Sequence, residues 1–445
     1  MRLAGRAIAR RAEKLTRPGD SLLVLAGKGH NGDDARFAAE SEFLSGREVH
    51  LVRVLDPEAA INEITPLLKR SAALIIDGLF GIGLNRPLSL SWIKFIRAIN
   101  GSGAPILAVD VPSGLNADTG EPLDDAIHAA HTVTFGAVKQ GLLKSTATTF
   151  VGRLEVANDI GLIPCPFNTP GNMIAAEDFS HFPPPRPMSG HKGTFGHLVV
   201  IAGSLGYHGA SVIAARGAQR AQPGLITLFT AENVYHPVAS QLQSVMVHPW
   251  TAAMELPESC TAIAIGPGLA SPEVPEYLKE SARHLWMESP LPIIVDASGL
   301  EWLPPGPCPP DVLRVMTPHP GEAARLLESS TGEVQRDRSA ALRKLSRKWG
   351  HCWVVLKGHQ TLIGRDEDTY FVNSSGNPFL AQGGSGDLLT GYLGGLLAQP
   401  ALQRDPGKTI RYAVWQHGAS ADELLATRSN WTVEDLANVL GAGND

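Results

Sequence analysis

Apolar residues along this chain come mostly in short runs, separated by stretches with helical spacing. Runs at 22–25, 49–54, 73–76 and 106–109 are too short for helices and read as buried strands, with helical stretches such as 34–44 between them. Strand and helix alternating in this way predict a mostly parallel sheet covered by helices. The pattern breaks into proline and glycine over 159–172, and Phe182-Pro-Pro-Pro-Arg-Pro187 excludes regular helix or central strand. The alternation then restarts, with strands expected at 197–202, 225–229, 261–265, 293–295, 314–316 and 353–356 and helices at 210–221 and 388–398. Two α/β domains in tandem are expected, 1–168 and 169–445, with the boundary close to residue 170.

Composition fits that division. A chain of 445 residues exceeds what one hydrophobic core usually serves. Its 43% hydrophobic and 18% charged residues belong to an ordinary globular protein. The 46 glycines suggest tight turns and close backbone approach to ligands. A net charge of -6 offers no long-range attraction for nucleic acid or an anionic membrane, so neither is expected as a partner. Cys165, Cys260, Cys308 and Cys352 are widely spaced and form no CxxC pair, which favours a reducing cytoplasm. No apolar run approaches the roughly 18 residues of a membrane span. The arginine-rich start could mimic a targeting peptide, but Leu3, Ala7 and Ile8 read better as an amphipathic helix leading into the strand from Ser21.

Two glycine-rich clusters carry candidate chemistry. Asn377-Pro-Phe-Leu-Ala-Gln-Gly-Gly-Ser-Gly-Asp387 runs into an apolar helix, where turned amides and the helix dipole suit an anion. Asp387 there is placed to activate a hydroxyl against a phosphoryl group; it could equally cap the helix. Nearer the start, Gly27-Lys-Gly-His-Asn-Gly-Asp-Asp34 follows one strand, and Asp77-Gly-Leu-Phe-Gly-Ile-Gly83 and Asp110-Val-Pro-Ser-Gly114 follow two others. Three motifs at neighbouring strand ends converge on one crevice. Taken singly, Asn31 could be a helix cap and Asp77 a turn residue.

Gly383-Gly-Ser-Gly-Asp387 resembles the Gly-Gly-Thr-Gly-Asp signature of the ribokinase-like ADP-dependent NAD(P)H-hydrate dehydratases. Their other motifs follow in order: Lys192-Gly-Thr-Phe-Gly196, Ala202-Gly-Ser204, Gly266-Pro-Gly268, Asp296, Thr317-Pro-His-Pro-Gly-Glu322 and Lys357-Gly358. The resemblance implies a ribokinase-like fold in which Asp387 is the base that activates the hydroxyl of the hydrated nicotinamide ring. That hydroxyl would attack the β-phosphate of ADP; AMP and phosphate leave, and NADH or NADPH is restored. Gly383, Gly384, Ser385 and Gly386 would hold the phosphoryl oxygens, and Lys357, Gly358, His359, Gln360 and Thr361 would receive ADP, with Mg²⁺ assisting. Ala210, Gly268 and His319 would contact the hydrated dinucleotide. Without the resemblance, Ala210 and Gly268 read as turn or packing positions, His319 as a core or capping histidine, and Lys357 as an exposed strand-end lysine.

The first cluster resembles the NAD(P)H-hydrate epimerases, often fused ahead of the dehydratase in bacteria, and implies a Rossmann-like three-layer domain. On that pattern Asn31, Asp77 and Ser113 would coordinate potassium, and Asp110 would be the acid/base group. The substrate, NADHX or NADPHX, would lie against His30, Asn31, Gly32, Asp33, Asp34 and Asp110, and against Gly81, Ile82, Gly83, Leu84, Asn85, Arg86 and Pro87. The family loop usually reads Asn-Asn-Gly-Gly-Asp-Gly; here Asp33 stands at a glycine, and the family helix ahead of Leu3 is missing. A homo-oligomer such as a tetramer is implied. Two alternatives stay open: a dehydratase whose first domain is only a binding or oligomerisation module, and an ATP-dependent small-molecule kinase on the same fold.

Overall fold

Among the described residues of this computed structural model, strands β1 (Ser21–Ala26), β2 (Glu48–Arg53), β3 (Leu74–Gly78), β4 (Ile106–Val109), β5 (His131–Phe135) and β6 (Arg153–Ala157) form one parallel sheet in the order β2-β1-β3-β4-β5-β6. The structure describes residues 1–163, 169–309, 311–367 and 369–442, so Cys165 lies outside it. By internal contact the chain divides into compact units Met1–Asn168 and Thr169–Asp445.

Alternation along β1 builds the layers of the first unit. Leu23 and Leu25 pack with residues of the helices Pro57–Lys69 and Leu90–Asn100, while Leu22, Val24 and Ala26 face Arg2–Leu15 and His30–Ala39. The result is a sheet between two helical layers. The predicted helix at 34–44 begins earlier, at His30, and a 3₁₀ turn occupies Glu42–Leu44. The basic start forms the amphipathic helix Arg2–Leu15, burying Ala4, Ile8, Ala9 and Ala12.

The second unit holds β7 (Gly171–Met173), β8 (His197–Ile201), β9 (Leu225–Thr230), β10 (Met246–Pro249), β11 (Ala262–Ile265), β12 (Ile293–Val295), β13 (Arg314–Met316), β14 (Trp353–Leu356), β15 (Leu362–Gly364) and β16 (Tyr370–Val372). Their order is β10-β9-β8-β11-β12-β13-β14-β15-β16-β7, parallel as far as β14, with β15 antiparallel to both its neighbours. Helix Ser385–Leu397 is buried along almost its whole length. It lies backbone to backbone against His208–Ala221, where a Cβ on Gly391 would fall 1.8 Å from the Ala214 carbonyl oxygen and one on Gly217 would fall 2.2 Å from that of Leu388. That packing locks the start of one helix against the body of the other. Among the described residues, no helix is long and apolar enough to cross a membrane.

Candidate functional sites

In the second unit, β8 lies between β9 and β11, and the chain fills one side of it before crossing to the other. Such a reversal opens a crevice at the carboxyl ends of the strands. Gly268, after β11, approaches the start of helix His208–Ala221 so closely that a Cβ would sit 2.8 Å from that of Ala210, so these two predicted contacts share one wall.

Helix Ser385–Leu397 starts three residues before the predicted position. Gly384, its N-cap, adopts φ 93°, a conformation that favours glycine, and Ser385 and Gly386 are already helical. Asp387 therefore lies inside the first turn and is not the cap, so its carboxylate is free for another role. Burial, together with the nearby charge of Asp296, raises its carboxyl from 3.8 to about 7, with Lys357 pulling the other way.

The Lys357 ammonium is a member of this cluster and not an exposed strand-end lysine. It donates to Asp296 Oδ1 at 2.6 Å and stands 4.0 Å from Glu322 Oε2. Burial alone would lower its pKa, but Asp296 and Glu322 outweigh burial and raise it. Asp296 Oδ2 accepts from Thr390 Oγ1 at 2.7 Å, one helical turn beyond Asp387. A Cβ on Gly386 would lie 3.2 Å from Lys357 Nζ, so the glycine turn comes directly against the ammonium.

His319 does cap a helix. Its Nδ1 accepts from the amides of Gly321 at 3.0 Å and Glu322 at 3.4 Å, while Glu322 Oε2 accepts from the His319 amide at 2.7 Å. This reciprocal capping box leaves a half-exposed ring whose Nε2 edge stands 3.6 Å from Glu322 Oε1. Thr390 and Glu322 were absent from the predicted site residues. The three-residue step from Asp387 to Thr390 is the helical signal that could have placed Thr390 beside it. His417, buried beneath Ser385, was also missed; burial lowers it to about 4, and its Nε2 has no partner.

The described residues do not form a cage for Mg²⁺. Both Asp296 oxygens and Glu322 Oε2 are already engaged, and among the described residues no group of three or more His, Cys, Asp or Glu side chains is arranged to hold a metal.

In the first unit the chain leaves β1 for β2 on one side and reaches β3 on the other, again opening a crevice. Asp77, at the end of β3, is fully buried. Its Oδ1 accepts from Ser113 Oγ at 2.6 Å and the Leu79 amide at 3.2 Å, and its Oδ2 accepts from the Ser113 amide at 2.9 Å. Burial raises this carboxyl to about 6 despite those bonds. Asn31 Nδ2 donates to the Phe80 carbonyl at 2.8 Å, while Asn31 Oδ1 lies beside Gly81, 3.5 Å from where a Cβ would stand. Asn31 Nδ2 and Ser113 Oγ thus meet at the Phe80 carbonyl, and Ser113 joins that carbonyl to the Asp77 carboxylate, whose charge burial disfavours. The oxygens of Asp77, Ser113 and Phe80 are the donor type that a hard cation such as potassium takes, although each is bonded within the fold here.

Asp110 adopts φ 64°, a strained angle for a residue other than glycine. Its Oδ1 accepts from Lys139 Nζ at 2.5 Å, and from Thr134 Oγ1 and the Phe135 amide at 3.0 Å each. Lys139 was missed by the sequence reading, being distant in sequence and outside the quoted motifs. Asp34 has a buried Oδ1 with no partner, and its carboxyl is raised to about 6, chiefly by burial, with Asp110 adding to the shift. Asp33 takes no unusual backbone angle: it sits in the first turn of His30–Ala39, 4.0 Å from Arg36, so the family glycine is not needed there for conformation. His30 is exposed, Gly32 is packed against Gly27, and the stretch 81–87 forms a largely exposed rim in which Ile82 is 61% exposed.

The comparisons match both units. A family model described as NAD(P)H-hydrate dehydratase matches residues 198–440, and one described as YjeF-related protein N-terminus matches 42–141. The bifunctional NAD(P)H-hydrate repair enzyme of Coxiella burnetii (strain RSA 493 / Nine Mile phase I) is 36% identical over 425 residues, 90% of this chain and 85% of that protein. That of Escherichia coli (strain K12) is 35% identical over 425 residues, 91% of this chain and 81% of that one. Among solved structures, the ADP/ATP-dependent NAD(P)H-hydrate dehydratase from Bacillus subtilis, co-crystallised with ATP and Mg²⁺, matches with TM-score 0.52 and 32% identity over 58% of this chain and 92% of that one.

Proposed function

The chain belongs to the bifunctional NAD(P)H-hydrate repair enzymes, and on that premise we propose that its two units restore hydrated NADH and NADPH in two steps. The first unit interconverts the R and S epimers, and the second dehydrates the S form at the expense of ADP. The observation that carries the second step is Asp387, a carboxyl raised to about 7 at the start of a buried helix, beside Lys357 and behind the glycine turn. A base of that pKa gives up and takes protons near neutral pH.

Asp387 removes the proton from the ring hydroxyl of the S epimer, and the freed oxygen attacks the β-phosphorus of ADP. The bond between that phosphorus and the bridging oxygen breaks, and AMP leaves. The new phosphate ester is then eliminated as inorganic phosphate, with loss of a ring proton, and the double bond returns. The amides of Gly383, Gly384 and Gly386 stabilise the phosphoryl oxygens, that of Ser385 being bonded to the Gln382 carbonyl, and Lys357 adds a fixed positive charge. The loop Lys357, Gly358, His359, Gln360 and Thr361 receives the nucleotide, and Ala210, Gly268 and the open edge of His319 meet the hydrated dinucleotide. Mg²⁺, when bound with the nucleotide, would offset phosphate charge beside Lys357, and no step above runs through it.

In the first unit Asp110, anchored by Lys139, acts as the acid/base group, and Asn31, Asp77 and Ser113 hold K⁺. Bound there, the ion supplies a fixed positive charge beside the anionic dinucleotide. His30, Gly32, Asp33 and Asp34 line one side of the substrate, and Gly81, Ile82, Gly83, Leu84, Asn85, Arg86 and Pro87 line the other. We place the enzyme in the cytoplasm as a homo-oligomer such as a tetramer.

Product identity tests the chemistry of the second unit. The purified full chain with the S hydrate, ADP and Mg²⁺ should yield NADH, AMP and phosphate in equal amounts. A stable phosphorylated product formed from ATP, with ADP released, would instead establish a kinase, which shares this fold.

A further inference from the structure

Helix Arg338–Lys348 begins beside the loop that follows β14, and its first residue carries an unusual load. Arg338 Nη1 donates to the carbonyls of His359 at 2.5 Å and Gln360 at 3.2 Å, and Nη2 donates to those of Leu356 at 3.0 Å and Lys357 at 3.4 Å. The remaining carbonyls of 356–361 are also taken: Gly358 O by Thr361 Oγ1 at 3.0 Å and Thr361 O by the Asn373 amide at 2.9 Å. Every carbonyl of this short loop is therefore committed within the fold. Two of its residues hold left-handed angles, Gly358 at φ 135° and Gln360 at φ 51°, and the latter is strained for a residue other than glycine.

A planar peptide points its carbonyl and the following amide in opposite directions. Tying the Lys357 and His359 carbonyls to one guanidinium turns the amides of Gly358 and Gln360 away from it. The guanidinium is rigid and forked, which suits it to fixing several acceptors at once. Burial lowers it to about 10, so it keeps its charge at neutral pH and leaves a cation beneath the loop.

We infer that Arg338 is the positioning residue of the nucleotide loop: its guanidinium sets the Lys357–Gly358 and His359–Gln360 peptide planes so that the amides of Gly358 and Gln360 face a nucleoside diphosphate. The inference rests on the proposal that this loop receives ADP. Arg338 touches neither ligand nor reacting atoms; it acts through the loop.

The test compares wild type, R338M and R338K in the full chain, using ADP titration by calorimetry and steady-state kinetics with each substrate varied. R338M should weaken ADP binding and raise KM for ADP about tenfold or more, as expected for the loss of charge-assisted hydrogen bonds. The KM for the S hydrate and kcat at saturating ADP should stay within about threefold. R338K keeps the charge without the fork and should regain only part of the ADP affinity. ADP affinity in R338M within about twofold of wild type overturns the inference alone, as does an equal rise in KM for both substrates. Should R338M lose its cooperative melting transition, R338K decides by the same criterion, with wild-type ADP affinity counting against the inference. Absence of ADP binding by the wild-type chain overturns the reading of the loop and this inference with it.

Discussion

Replacing Asp387 by Asn should make the protein more stable at alkaline pH while removing its dehydratase activity. The Asp387 carboxyl is raised from 3.8 to about 7, mainly by burial and by the charge of Asp296. A raised folded-state pKa means that the folded protein prefers the protonated group. The stability that preference contributes is present in full below the unfolded pKa, near 4, and is lost as pH rises through about 7. A shift of about three pH units corresponds to about 4 kcal/mol, and screening at this partly exposed residue brings the working figure to about 2 kcal/mol. Asn keeps the shape and cannot ionise, so D387N escapes that cost. Urea unfolding of wild type and D387N, followed in the full chain at about pH 4.5 and about pH 8.5, measures the difference. The variant should be more stable by about 2 kcal/mol at the higher pH, with about a quarter of that gap at the lower. Its kcat should fall by about 10²- to 10⁴-fold, the usual contribution of a positioned base. Wild type equal to or more stable than D387N at pH 8.5, or a gap that does not change with pH, would refute the electrostatic account of this residue.

Lys357→Met should destabilise the second unit by about 3–5 kcal/mol, because it strips Asp296, 1% exposed, of its ammonium partner; an unchanged melting temperature would contradict that. Gly391→Ala forces a methyl group to within 1.8 Å of the Ala214 carbonyl and should cost about 1–3 kcal/mol or more, whereas Gly83→Ala, with nothing within 4 Å, should leave stability unchanged. Thermal denaturation of the two variants side by side checks the contrast.

Residues at strand ends were legible in the sequence because the physics that places them is local. Short apolar runs ending in Gly or Asp announced Asn31, Asp77 and Ser113, whereas Asp296 and Lys357 stood out only through the family resemblance, and parallel topology gathered these strand ends into two crevices. Glycine itself blurred the boundaries: 383–386 reads as loop, yet only Gly384 needs its freedom, and helix begins at Ser385, which moved Asp387 from a cap into the first turn. The strands β5 and β6 were missed because threonine, histidine, arginine and glutamate interrupt their apolar pattern, and β7, β15 and β16 are three residues long. Partners brought in by tertiary contact left no local mark. Lys139 reaches Asp110 from 29 positions away, and Arg338 sits in a charged helix whose sequence looks like an ordinary solvated surface.

The claim that one chain carries both sites is tested most directly by the extent of repair of a mixed substrate. Purified full-length protein with equal amounts of the R and S hydrates, ADP, Mg²⁺ and K⁺ should return all of the hydrate as NADH. An Asp77→Asn variant, or wild type with K⁺ withheld, should stop at the S fraction once slow spontaneous epimerisation is subtracted. Wild type that also stops at the S fraction, or a variant that completes the conversion as fast as wild type, would contradict the assignment of epimerisation to the first unit.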